Sequence, residues 1–147
     1  MKFTAIFVAL TSALVAVAQP PLLSTINFDD RFCVGSTSLA TTACSTGENG
    51  LITRGFPTFG SLPSFPAIAG SQIVEGFNST SCGACWEVFD PNTGRSVFLT
   101  LVNSAPQGFI LCTDTLLALT GFNRTNVPAN IPVEARAVPA ADCGFTS

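Results

Sequence analysis

The sequence predicts a mainly β fold, a small barrel carrying one or two short helices. Three observations lead there. The apolar segments are short and separated by turns rich in Pro, Gly and Asn. One of them, 96–103, is apolar on both faces, with Val97, Leu99 and Leu101 on one side and Phe98 and Val102 on the other. A strand buried on both sides suits a closed barrel or a central position. Helix signals are confined to brief stretches.

The elements follow in order. Met1-Lys2 is a short basic start, 3–17 is almost wholly apolar, and Ala16-Val17-Ala18 offers a small-residue cleavage site. Residues 1–18 therefore read as a secretory signal peptide, too short for a comfortable membrane span, and 19–147 as a single domain. Residues 20–23 form an arm and 24–32 a first strand. Residues 38–43 suit a short helix. Between 50 and 70, Pro and Gly block regular structure, and the segment reads as an irregular loop in which Phe56, Phe59 and Phe65 either pack on the core or face solvent. Residues 71–77 read as a strand. Residues 85–90 and 96–103 flank Pro91-Asn92-Thr93-Gly94-Arg95 and predict a β-hairpin. Thr113 or Asp114 can cap a helix over 115–119, with Gly121 just past its end. Residues 131–138 form the last strand, where Glu134 and Arg136 alternate with Val133, Ala135 and Ala137.

Composition narrows the function. Of 147 residues only 10% are charged, the formal charge is −3, and there is no His. The acidic balance excludes a basic nucleic-acid footprint. The missing His excludes Ser-His-Asp and Cys-His triads and His-ligated metal sites. Lys2 is the one Lys, so after leader removal five Arg face nine acids. The acids show no pairing signature and read as solvated surface charge. Eleven of the 13 Phe lie beyond residue 18, enough to place some in an exposed apolar patch.

The six Cys are Cys33, Cys44, Cys82, Cys85, Cys112 and Cys143. An even count behind a leader implies disulfides, and their pairing stays open at this level. Cys82-Gly-Ala-Cys85 has the spacing of a redox or zinc motif, but a four-cysteine zinc site needs a second close pair. Two sequons, Asn78-Ser79-Thr80 and Asn123-Arg124-Thr125, are possible glycosylation sites. Asn78 lies close to Cys82.

A series of motifs in order then resembles the cerato-platanin family of small secreted fungal proteins. Thr42-Ala43-Cys44-Ser45, Gly50-Leu51, Phe56-Pro57-Thr58-Phe59-Gly60, Phe65-Pro66 and Ser81-Cys82-Gly83-Ala84-Cys85-Trp86 carry the likeness. Gly108-Phe109, the helix before Gly121 and the final Cys143 complete it. The resemblance implies a six-stranded double-psi β-barrel. It pairs Cys44 with Cys82 and Cys85 with Cys143. Cys33 and Cys112 are extra to the family's four, and are expected to bond to each other.

The resemblance further implies a secreted, non-catalytic protein of the fungal cell wall or surface. It would bind or loosen polysaccharide of the chitin or cellulose type, act as an elicitor of plant defence or as an allergen, and self-associate. No cofactor, metal, nucleic acid or membrane span is implied. The candidate carbohydrate-binding residues are Asn103, Ser104 and Gln107 in a shallow groove, with Phe77 where the family often has Trp. Core packing is the plainer role for both Phe77 and Trp86. Asn103 stands at a family acidic position and Ile110 at a family Asn. An amide cannot serve as a carboxylic acid or base, which weakens a rival reading as a glycan hydrolase. A second rival is an interfacial coat protein without a sugar site.

Overall fold

Alternating apolar residues and Pro/Gly-rich turns organise the chain as six strands around one core. The computed structural model describes residues 19–146, so the leader expected over 1–18 lies outside the described residues. The strands are β1 (Leu22–Phe28), β2 (Ile68–Ser71), β3 (Cys85–Asp90), β4 (Arg95–Ser104), β5 (Phe109–Leu111) and β6 (Ile131–Val138). They close in the order β1-β5-β2-β4-β3-β6. Helix α1 (Thr113–Thr120) lies between β5 and β6 in the chain. β1 with β5 and β2 with β4 run parallel. The other neighbours run antiparallel. This is the six-stranded double-psi barrel.

The hairpin forms where the alternation and the turn signal coincide. Cys85 to Asp90 pair with Thr100 back to Arg95. Asp90 closes the turn: it is 2% exposed, and its Oδ1 accepts the Asn92 N–H at 2.9 Å. Its expected place among solvated surface charges is thus corrected, because a short carboxyl side chain caps its own turn. On β4, Leu99 to Val102 are buried on both faces, whereas Phe98 is 39% exposed. Two-sided burial therefore holds for the middle of that strand, 99–102.

Several elements differ from their sequence expectation. β1 starts at Leu22 because Leu22 and Leu23 pair with Ala135 and Glu134. It ends at Phe28 because the Asp29 carboxylate accepts the Arg31 N–H at 2.9 Å and opens a 3-10 turn over Asp30–Cys33. The helix expected over 38–43 shrinks to a 3-10 turn at Leu39–Thr41. Of the strand expected over 71–77 only Ser71 is extended, as the last residue of β2. β2 stops at Ser71, and the Val74 N–H returns to the Ser71 carbonyl at 3.1 Å.

α1 is not capped by Thr113 or Asp114. Cys112 takes the N-cap position without a side-chain bond. The Thr113 hydroxyl instead donates to Asp30 Oδ1 at 2.5 Å, and Asp114 pairs with Arg124. At the other end Gly121 donates its N–H to the Leu117 carbonyl at 2.8 Å. The hairpin turn supplies further closure: Thr93 Oγ1 and Arg95 Nη1 donate to the Leu119 and Ala118 carbonyls. A cation there meets the negative end of the helix. α1 packs against β1, β3 and β4.

The core centres on Ile26, Val88, Leu99, Leu101, Phe109 and Leu111, none of which is exposed. Burial of each such side chain stabilises by about 1.5–3 kcal/mol. Trp86 is half-buried, its ring 6.1 Å from that of Phe109. Phe59 is buried and stacks on Phe32 at 5.7 Å, while Phe56 and Phe65 are half-buried. Three disulfides join Cys33 to Cys112, Cys44 to Cys82 and Cys85 to Cys143.

Candidate functional site

The end of β4 positions Asn103 and Ser104. The register sets Asn27, Ile110, Gly70 and Asn103 in one row across β1, β5, β2 and β4. Much of this row is already engaged. The Asn27 amide exchanges hydrogen bonds with Asn130, both at 2.8 Å. A Cβ on Gly70 would lie 3.3 Å from the Phe32 ring, so that ring packs close against Gly70. Asn103 is half-buried, and its Oδ1 accepts the Ala43 N–H at 2.8 Å. Its Nδ2 makes no hydrogen bond among the described residues.

Ser104 and Gln107 are exposed. Gln107 lines an open cleft of about 360 Å³ with Leu23, Ser24, Thr25, Gln72 and Gly108. None of these lining groups is ionisable. The cleft is held by reciprocal bonds between Gln72 and Gly108: the Gly108 N–H donates to Gln72 Oε1 at 3.2 Å, and the Gln72 N–H donates to the Gly108 carbonyl at 3.4 Å. Gly108 has φ +57°, and a Cβ there would stand 2.2 Å from the Thr25 carbonyl oxygen. Only glycine fits so close an approach. The Thr25 hydroxyl beneath it is buried without a hydrogen-bond partner.

Phe77 is 67% exposed, so its expected core role is corrected. It sits in the irregular segment after β2, where no strand draws it inward. It does not line the cleft. Its neighbour Asn78 donates its backbone N–H to the Ala43 carbonyl at 3.1 Å. Ala43 thus links the Phe77–Asn78 segment to Asn103. The structure brings Asn103, Ser104 and Phe77 to segments joined through Ala43, and places Gln107 in the adjoining cleft. Sequence reasoning missed Ser24, Thr25 and Gln72, which come together only through barrel closure.

Four acids and three arginines form local pairs outside the cleft. Asp29 pairs with Arg31 at 2.7 Å, and that guanidinium holds its carboxyl below the usual range. Glu87, its side chain 14% exposed, accepts the Ser96 hydroxyl at 2.7 Å and the Arg136 guanidinium at 2.5 Å. The hydroxyl and then the guanidinium hold its carboxyl low. Asp30 and Asp114 share Arg124. Cys33, Cys112 and Asp114 bring ligand-type atoms within 4.8 Å of one another, but both sulfurs are spent in a disulfide.

A family model described as Cerato-platanin matches residues 24–145. An Allergen Asp f 15 homolog of Arthroderma benhamiae is 37% identical over 148 residues, covering 99% of this chain and 70% of that protein. The crystal structure of cerato-platanin 2 from M. perniciosa is 37% identical with a TM-score of 0.77, covering 84% of this chain and 99% of that one. The solution structure of the fungal elicitor cerato-platanin is 32% identical with a TM-score of 0.72, covering 81% and 95%.

Proposed function

The chain belongs to the cerato-platanin family, and from that premise we propose that it is a secreted, non-catalytic fungal surface protein that holds cell-wall polysaccharide by contact. The observation that carries this reading is the open cleft beside Gln107, lined by neutral groups and the 78%-exposed Leu23. Sugars are bound by hydrogen bonds from neutral side chains and by apolar contact. Gln72 and Gln107 supply the polar part of the cleft, and Ser104 and the free Nδ2 of Asn103 lie beside it at the end of β4. Phe77 supplies an exposed aromatic face. Hydrolysis needs two carboxyl groups flanking the glycosidic bond, and no cleft-lining residue offers one. Three disulfides suit an oxidising compartment outside the cytosol.

The test is titration of isotopically labelled protein with chitin and cellulose oligomers, followed by assay for new reducing ends. Shifts at Asn103, Ser104 and Gln107 without product are expected. Absence of shifts at these residues removes the groove reading; release of product selects a hydrolase. A second reading rests on exposed apolar side chains: Leu23, Phe77, Phe28, Phe98 and Phe122 all face solvent. Such a set supports self-association at interfaces, as the apolar patches of soluble proteins mark contact sites. Strong lowering of surface tension without sugar-induced shifts would select that role. Recognition as an elicitor or allergen, the words attached to the relatives, is proposed on the shared family alone.

A further inference from the structure

The two sequons differ in their surroundings, and the geometry points to Asn123 as an N-glycan acceptor while Asn78 is withheld by its own fold. Asn123 lies after α1 in a stretch, 121–126, whose every residue is exposed. Its side chain makes no hydrogen bond among the described residues. Its carbonyl accepts the Asn126 N–H at 2.9 Å, so the acceptor sits on an ordered turn. The adjacent Arg124 ties that turn to Asp30 and Asp114. The modification consumes nothing the structure uses. Nδ2 bonds the anomeric carbon of a sugar carried on a lipid pyrophosphate donor, the sugar–phosphate bond breaks, the amide proton goes to a base of the transferase, and the lipid pyrophosphate leaves.

Asn78 is half-buried and held through its backbone and its side-chain oxygen. Its backbone has φ +58°. Its N–H donates to the Ala43 carbonyl at 3.1 Å, and its carbonyl accepts Asn49 Nδ2 at 3.0 Å. Its own Oδ1 accepts the Asn49 N–H at 2.8 Å. Gly47, at φ +93°, approaches so closely that a Cβ there would lie 2.6 Å from Asn78 Cγ. The Cys44–Cys82 disulfide holds both segments of this clamp together. A glycan would have to enter this packed contact, one residue from the exposed Phe77.

The experiment uses the full chain secreted from a glycosylating fungal host. Release by a peptide N-glycosidase, which hydrolyses the side-chain amide, in heavy-oxygen water marks each formerly glycosylated Asn as a labelled Asp in peptide maps. The expected result is label at Asn123 alone, loss of the enzyme-sensitive mass shift in Thr125→Ala, and an unchanged shift in Thr80→Ala. Both threonines are exposed, so neither change disturbs packing. Label at Asn78, or a secreted protein of leader-cleaved mass with no label at Asn123, overturns the inference.

Discussion

The barrel wall and the long connection between β1 and β2 reach order by opposite routes. In the wall, β3 is paired along its length, to β4 through Cys85–Asp90 and to β6 through Cys85–Phe89. Each backbone group there has a neighbour set by simple alternation. Residues 29–67 contain 3-10 turns and one isolated bridge, Ser38 to Thr58. That connection is held instead by the Phe32–Phe59 stack, by Cys33–Cys112 and by Cys44–Cys82. The difference shows which parts tolerate losing a cross-link. A ladder distributes its stability over many bonds, whereas the connection concentrates it in a few side chains.

The sharpest way to break this contrast is the paired Cys33→Ser/Cys112→Ser variant. The bridge spans 79 residues, and its removal should cost about 4 kcal/mol through the unfolded chain's regained freedom. Thermal unfolding reads the total. Hydrogen exchange reads the location: amides of 30–64 should lose protection first, and equal loss in β3 and β4 would refute the distinction. Next in size, Phe59→Ala should cost about 3 kcal/mol by removing half of the aromatic stack from a buried position, seen as a lower urea midpoint. Asn78→Ala should cost about 1–2 kcal/mol, because the Asn49 N–H loses its acceptor; a circular-dichroism melt checks it.

The smallest effect compares one carboxylate in each region, Asp29 at the start of the connection and Glu87 in the wall. Both are held below their ordinary range. A depressed folded-state pKa means that the unfolded chain binds the proton more readily. The contribution is therefore present above the unfolded value near pH 4 and lost as pH falls through the lower folded value. Solvent screening limits each to roughly half a kcal/mol. Asp29→Asn and Glu87→Gln should each flatten the acid limb of a stability–pH curve; an unchanged limb would show that the pairs do no thermodynamic work.

The same contrast governs what could be read from the chain. The β3–β4 hairpin and β6 were legible because alternation and turn residues coincide there. β5 is three residues long and carries no periodicity to detect. Ile73 and Val74 imitate a strand, yet they pack from a turn closed by the Val74 N–H on the Ser71 carbonyl. Phe77 is apolar but lies where no strand carries it inward. For the candidate site, Asn103, Ser104 and Gln107 rest on the family resemblance rather than on any local pattern. Ser24, Thr25 and Gln72 carry no local signal, since barrel closure alone brings β1 beside the β4–β5 connection.

Closure of the sheet has one more consequence. Among the described residues every strand has a partner on both sides, and the single-sided stretches are short, such as 22–25 of β1 and 95–99 of β4, so little open edge remains on which another copy could template a cross-β stack. A film or aggregate built from folded copies should therefore be stitched mainly by side chains such as Leu23 and Phe77. It should leave amyloid dyes dark and dissolve back to intact monomers.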